Sequence, residues 1–415
     1  MIDIQLLRDN PDLVKQKAQE KRVDIDIHRI LSVDVQYRDL LSQVEFMRQK
    51  RNEISASMKN GKPDAELIEQ GKQLKVELND REELLEKSKI ELNVLMHQVP
   101  NLHFDDVPVG NEGEGVELSR FGDCETTGAL DHQDFATARG WLDFEGGAKV
   151  AGAKFYFLKG DLALLENAIL QYAIETVTRE QFLYITVPHL VNSRTAQGAG
   201  FSPRSDKEAN EYFVEGEDLS LIATAEMPLT GLHADDIISE DNLPILYAGY
   251  SACYRREAGT YGKHTRGLFR VHQFNKLELY AFCSPDKSAE MHQRILALEE
   301  KIWQEIGIPY HVINIPSGDL GAPAAKKYDI EYWSKVDGAF RELTSCSNCT
   351  DFQTRNLNIR VRRKDGSITL AHSLNGTAVS MARTLVAVIE HYQNPDGTLR
   401  IPEVIQKYMG GRQTI

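Results

Sequence analysis

Cysteine is scarce. Five residues in a chain of 415, at positions 124, 253, 283, 346 and 349, do not make a disulfide framework, which excludes the small stapled secreted scaffolds. Cys346 and Cys349 form a CxxC, but no second CxxC and no histidine pair stands at zinc-finger spacing, and ordinary thiols are the preferred reading. Long apolar runs are missing too. No stretch approaches membrane-spanning length, and Met1-Ile2-Asp3, followed by Arg8 and Asp9, has no signal-peptide hydrophobic region, so a cytosolic protein without membrane contact is expected. There is no positive excess: a net charge of −14 argues against a broadly basic nucleic-acid binder, although it permits a local basic track. Nucleotide fingerprints are also lacking. No P-loop occurs, and Gly110 to Gly115 has neither the preceding strand nor the spacing of a dinucleotide turn. Any ATP site must therefore be built in another way.

What is present is a chain 41% hydrophobic and 27% charged, the composition of a globular protein, at a length that implies more than one domain. Ile30, Val33, Tyr37, Leu40, Val44, Met47, Ile54 and Met58 step by three and four, with Arg51 breaking the seam. After the turn signal Asn60-Gly61-Lys62-Pro63-Asp64 comes a second series, Leu67, Leu74, Leu78, Leu85, Leu92, Leu95 and Val99, with Gly71, Arg81 and Ser88 in the polar slots and Pro100 as its stop. Two heptad helices and a tight turn predict an antiparallel hairpin over 1–105, each helix ~50 Å long and therefore projecting. A spacer or dimerisation rod is one use of such an arm. Contact with a nucleic-acid backbone through Arg38, Arg48, Lys50, Lys59, Lys72, Lys75, Lys87 and Lys89 is another. Residues 106–415 form the second predicted domain, entered by a Gly- and Asp-rich linker from Asn101 to about Gly160.

The most informative stretch of that domain runs from Ala248 to Phe282. It reads as two strands joined by a long loop in which Gly259, Gly262 and Gly267 give the backbone its freedom. Taken at a period of two, Arg270, His272, Phe274, Lys276, Glu278 and Tyr280 share one face of the second strand. With Arg255-Arg256-Glu257 closing the first strand, and Lys263 and Arg266 in the loop, that face has the parts to hold a phosphate, stack a base and orient a small polar substrate.

Other signals lie before and after it. A helix capped by Asp161 carries Leu162, Leu165, Ile169 and Tyr172 on one face and leads to a strand, Phe182 to Val187, closed by Pro188. Thr224-Ala225-Glu226 follows an apolar run, where a helix cap is the simplest reading of Thr224. A helix is expected around Ser288 to Ile306. In Phe340-Arg341-Glu342-Leu343-Thr344-Ser345-Cys346 a carboxylate and a hydroxyl stand close together, suited to Mg²⁺ carried on a nucleotide or to an exposed strand end. Asn375-Gly376-Thr377 precedes a helix with Val379, Ala382, Val386 and Ile389 on its stripe, and Arg383 falls on or beside that stripe. A buried guanidinium needs a carboxylate or a bound polyphosphate, and the helix N-terminus near Thr377 would favour an anion.

Taken in order, these stretches resemble a class II aminoacyl-tRNA synthetase in the form typical of seryl-tRNA synthetases. Arg255-Arg256-Glu257, the loop to Gly267 and Leu268 to Glu278 are similar to motif 2; the helix and strand ending at Pro188 to motif 1; Asn375 to Arg383 to motif 3; the N-terminal hairpin to the tRNA-binding arm. The resemblance implies an α+β fold, an antiparallel sheet flanked by helices, forming a homodimer through the motif 1 region. It implies ATP on Arg255, Arg256, Glu257, Val271, Phe274, Glu342, Leu343, Thr344, Ser345 and Arg383. Arg255 would meet the α-phosphate, Arg270 and Arg383 the outer phosphates, Phe274 would stack on adenine, and Glu342 with Ser345 would hold Mg²⁺. L-serine would sit against Thr224, Ala225, Glu226, Arg255, Glu278 and Thr377. The implied reaction makes seryl-adenylate and passes the seryl group to serine tRNA, and by resemblance also to selenocysteine tRNA, with the arm on the tRNA's long variable arm. Ser334-Lys335-Val336-Asp337 departs from the family pattern, which leaves the geometry of that loop open. A carrier-protein ligase would lack the arm, and a silent scaffold would have lost Arg255, Glu342 or Arg383.

Overall fold

The computed structural model describes residues 1–59, 65–126, 128–201, 210–257 and 266–415 and divides into two units, Met1–Leu102 and His103–Ile415. In the first, α1 (Ile4–Asp9) and α2 (Pro11–Glu20) precede the long helices α3 (Ile27–Lys59) and α4 (Ala65–Gln98). Asp3 caps α1 by accepting from the backbone N–H of Gln5 at 2.8 Å. α3 and α4 run antiparallel: Gly71 faces Ile54 and Met58, and ion pairs join Arg48 to Glu82 at 2.7 Å and Arg29 to Glu91. Ile30, Val33, Leu40, Val44 and Leu78 are buried in the seam. Arg51 and Arg81, which the heptad places on it, point to solvent. Beside the seam, α3 carries a buried charge that periodicity does not reveal. Asp34 is buried and receives Arg8 at 2.6 Å and Arg38 at 3.1 Å, the double pairing a buried carboxylate needs. The turn signal at 60–64 and the side chain of Lys59 lie outside the described residues.

The second unit is built on an eight-stranded sheet of β1 (Val116–Phe121), β2 (Leu183–Thr186), β3 (Ile245–Tyr254), β4 (Gln273–Cys283), β5 (Tyr310–Asn314), β6 (Lys326–Ser334), β7 (Ala339–Thr350) and β8 (His372–Ser380). Its order is β1-β5-β6-β7-β8-β4-β3-β2, antiparallel throughout except for the parallel pair of β2 and β3. The main helices are α5 (Gly160–Arg179), α6 (Ser288–Ile306) and α7 (Met381–Tyr392). α6 buries Ile295, Leu298, Ile302, Trp303 and Ile306 and stops at Gly307, whose left-handed φ of 80° closes its C-terminus. It packs on β4, β7 and β8. That approach requires Gly376, where a Cβ would stand 2.3 Å from Ile295 Cγ2 and 2.6 Å from Glu299 Oε1.

Several expectations change here. The segment expected to be a linker up to Gly160 supplies β1 at the sheet edge and helices at His132–Ala138 and Phe144–Ala151. Asp161 is not the cap of α5; Lys159 holds that position, and Asp161 accepts from Arg412 at 2.7 Å. β4 begins at Gln273, so Arg270 and His272 precede it, Arg270 closing a 3-10 turn at Gly267–Phe269. Thr377 and Val379 lie in β8 and not at a helix start; α7 begins only at Met381. Ser334 to Ala339 makes a tight hairpin between β6 and β7, with Gly338 at φ 62° and its N–H on Ser334 O at 2.9 Å. Gly259, Gly262 and Lys263 lie outside the described residues.

Candidate active site

Along β4 the polar residues Lys276, Glu278 and Tyr280 are buried, whereas Gln273 at its start is exposed and Asn275 half-buried. Leu277, Leu279 and Ala281 join the hydrophobic core, while Phe274 and Lys276, one period apart on the other face, border a cleft. The walls of the cleft bring together residues far apart in sequence: Arg255, Glu257, Arg270, Val271, Glu342, Leu343, Thr344, Ser345, Thr377 and Arg383 all line it. Among the described residues four cations of the lining, Arg255, Arg270, Lys276 and Arg383, stand with two carboxylates, Glu257 and Glu342, within a chain whose net charge is −14. A local positive excess in an acidic protein marks an anion site.

Each arginine is held. Arg255 follows β3, donates from Nε to Ala223 O at 3.3 Å, and lies over the Phe274 ring with 5.3 Å from Cζ to the centroid. Arg270 meets Glu257 at 3.3 Å; Glu257 takes a left-handed φ of 48°, and its N–H is held by Asn210 Oδ1 at 2.9 Å. Arg383 pairs with Glu342 at 2.8 Å and lies over the Phe269 ring at 5.1 Å. Of the two partners expected for a guanidinium on that stripe, the carboxylate is therefore the one in place. The charge of Arg383, with Lys327 and Arg255 beyond it, holds the Glu342 carboxyl well below the usual carboxylate range. The Glu342 side chain is 44% exposed, so its oxygens remain open to the cleft.

Beside the cleft lies a smaller polar pocket. Thr377 stands opposite Glu278 in the register of β8 and β4. Glu278 pairs with Lys276 and accepts from Thr224 Oγ1 at 3.2 Å; Thr224 Oγ1 also receives the Glu226 N–H at 3.3 Å, but the N-cap of the short helix Glu226–Gly231 is Ala225, not Thr224, the expected cap. Glu226 is buried; it accepts from Gln353 Nε2 at 2.6 Å and Asn375 Nδ2 at 2.8 Å, and no ion pair engages it among the described residues. Burial first, and the nearby Glu278 second, push its carboxyl up to about 7. Ala225 is buried in the core, and Arg256 is exposed and outside the cleft lining. The sequence does not mark Lys276, Gln353 or Asn375 as substrate-binding residues. Lys276 had a signal, an opposite charge two residues along the same strand face; Gln353 had none.

A model of the tRNA synthetase class II core domain (G, H, P, S and T) matches residues 212–392, and one of the seryl-tRNA synthetase N-terminal domain matches residues 1–103. The serine–tRNA ligase of Dictyoglomus thermophilum is 45% identical over 418 residues, covering 99% of this chain and 98% of that one. The chain belongs to the seryl-tRNA synthetase family. The serine–tRNA ligase of Methanocella arvoryzae is 39% identical with 99% of both chains covered. Among solved structures, the seryl-tRNA synthetase from Pyrococcus horikoshii complexed with ATP superposes with a TM-score of 0.89 at 36% identity, covering 100% of this chain and 99% of that one. Membership of the seryl-tRNA synthetase family accounts for an antiparallel sheet with a cationic cleft at its centre and for a long helical pair in the first unit.

Proposed function

We propose that the chain activates L-serine with ATP to seryl-adenylate and transfers the seryl group to the 3′ end of serine tRNA, with selenocysteine tRNA as a second acceptor by family likeness. The observation that carries this reading is the junction of two unlike sites: a cationic cleft with an aromatic floor, and a small pocket rich in carboxylate and hydroxyl oxygens that meets it at Lys276 and Thr377. ATP suits the first. Phe274, already under the Arg255 guanidinium, offers a face for adenine, with Glu257 and the Val271 backbone beside its edge. Arg255 serves the α-phosphate; Arg270 and Arg383 serve the outer phosphates.

Serine suits the second. Its ammonium needs an acceptor free of cations. Glu278 already has Lys276, so Glu226 is that acceptor, while Glu278, Thr224 and Thr377 surround the hydroxyl. A site built to hydrogen-bond that hydroxyl rejects alanine strongly, and threonine must be excluded by space. The serine carboxylate then attacks the α-phosphorus in line, pyrophosphate leaves, and a ribose hydroxyl of tRNA takes the seryl group. No side-chain nucleophile is required. The arginines stabilise charge on the phosphoryl oxygens, and the pocket supplies orientation.

Glu342 and Ser345 fit a Mg²⁺ ion brought in on ATP, since both line the cleft with hard oxygen donors. Among the described residues no group of three metal-type ligands exists, so phosphate oxygens would have to complete the shell. Held there, such an ion would supply charge neutralisation for the phosphates. For residues 1–105 we propose tRNA binding, supported by the long helical pair, and for 106–415 catalysis. Homodimer formation near α5 and β2 is supported by the open outer edge of β2, with Leu183 61% exposed. A cytoplasmic site of action is proposed by family likeness, and no helix among the described residues is long and apolar enough to cross a membrane. Purified protein should exchange labelled pyrophosphate into ATP only with serine and Mg²⁺ and should charge serine tRNA. Exchange without charging would favour a carrier ligase; absence of both would sink the enzyme reading.

A further inference from the structure

Gln353 lies in a short helix, Phe352–Asn356, outside every motif of the sequence, and is fully buried. Its amide uses its whole hydrogen-bonding capacity. Oε1 accepts from Tyr280 OH at 2.9 Å and Ser373 Oγ at 2.7 Å; Nε2 donates to Ala199 O at 2.9 Å and Glu226 Oε1 at 2.6 Å. The orientation of the amide is not arbitrary. A backbone carbonyl can only accept, so the group facing Ala199 O must be the NH₂, and the oxygen is left to the two hydroxyls. Asn375 Nδ2 converges on the same Glu226 oxygen at 2.8 Å. Both donors therefore occupy Oε1, and among the described residues no donor is bonded to Oε2.

We propose that Gln353 is a positioning residue for serine recognition: clamped by Tyr280, Ser373 and Ala199, it fixes the Glu226 carboxylate by one oxygen so that the other is presented to the substrate ammonium. The assignment rests on the reading of this pocket as the serine site. It also explains a buried hydroxyl on β4, because Tyr280 acts by orienting the amide that orients the carboxylate. The groups facing Glu226 are Lys276, Glu278 and Tyr280 from β4, Asn375 from β8 and Gln353 itself. Of these, only Gln353 and Asn375 donate to the carboxylate. Loss of Gln353 therefore both loosens the acceptor and raises the pH needed to ionise it.

The test uses the full chain in serine-dependent pyrophosphate exchange, with Gln353→Met, which keeps the volume and loses all four bonds, and Y280F/S373A, which leaves the amide in place but frees it to rotate. Gln353→Met should raise KM for serine roughly tenfold or more, leave KM for ATP within about twofold, and move the acidic limb of kcat/KM for serine to higher pH. Y280F/S373A should do the same by a smaller factor, and it decides the matter if Gln353→Met does not fold. Unchanged serine KM and an unmoved acidic limb in either folded variant overturn the role of Gln353, as do equal losses toward ATP and serine. No serine-dependent exchange by the unsubstituted chain overturns the serine reading and the proposal with it.

Discussion

Acidification from pH 8 to pH 6 should weaken the use of serine, because the acceptor in its pocket is a carboxyl raised to about 7 by burial and by its neighbour Glu278. A group titrating near 7 is about 91% ionised at pH 8 and about 9% at pH 6, so kcat/KM for serine, which reports the free enzyme, should fall about tenfold. A plot of its logarithm against pH should rise with unit slope below neutrality and level off above it. The assay is pyrophosphate exchange at saturating ATP across that range. Glu226→Gln keeps the shape, removes the charge, and should lower kcat/KM by roughly 10- to 100-fold while abolishing the limb. The same group links pH to stability with a definite sign. Its folded value, about 7, lies above the ordinary 4.5, so between these the folded chain keeps a proton that the unfolded chain releases. Its contribution is fully present below about pH 4.5 and is lost as pH rises through about 7, about 3 kcal/mol in all. The ammonium of serine offsets that loss, so serine should raise the melting temperature more at pH 8 than at pH 6. A flat profile in the unsubstituted chain, or a limb that survives in Glu226→Gln, would refute the assignment.

Replacing Arg383 with Ala removes a phosphate ligand and the partner of Glu342; exchange kcat should fall roughly 10²- to 10³-fold, with serine KM little changed, and a loss confined to KM would contradict the phosphate role. Phe274→Ala should raise KM for ATP about tenfold or more through the lost adenine face, read from exchange at saturating serine. Gly376→Ala places a Cβ 2.3 Å from Ile295 Cγ2 and should destabilise the fold by about 1–3 kcal/mol or more; chemical denaturation with an unchanged midpoint would show that β8 and α6 part more easily than their packing implies. Deleting Val35 to Met96 should leave serine activation largely intact and reduce tRNA charging severely, with the remaining tRNA affinity of the intact chain falling steeply with salt; equal loss of both steps would make the helical pair structural.

The parts legible in the sequence are those whose signal is local. The seam of α3 and α4 repeats within each turn of helix, so Ile30, Val33, Leu40 and Val44 announce burial without knowledge of their partners. Arg383 announced itself differently, as a charge on an apolar stripe, and the pairing to Glu342 supplies the partner such a charge requires. β1 was illegible because its pairing is remote and its surface polar: Glu117 bonds His311 at 2.8 Å across most of the domain, and the strand is exposed on both faces. Val116 and Leu118 alternate with Glu117 and Ser119, but Arg120 ends the pattern after two repeats and neither apolar side chain is buried. On β4 the alternation was legible but the burial was not: Lys276, Glu278 and Tyr280 share a face, and all three are buried. That distinction explains why Lys276, Glu278 and Tyr280 could be placed on one face yet only Glu278 given a role: a strand reveals which residues share a face, not which groups from other elements close over it. Lys276 needed the knowledge that Glu278 is desolvated, and Tyr280 needed Gln353, an uncharged amide whose four bonds come from four separate segments. A charged ligand set can be sought by residue type. A positioning residue of this kind becomes visible only when the carboxylate it holds has been placed.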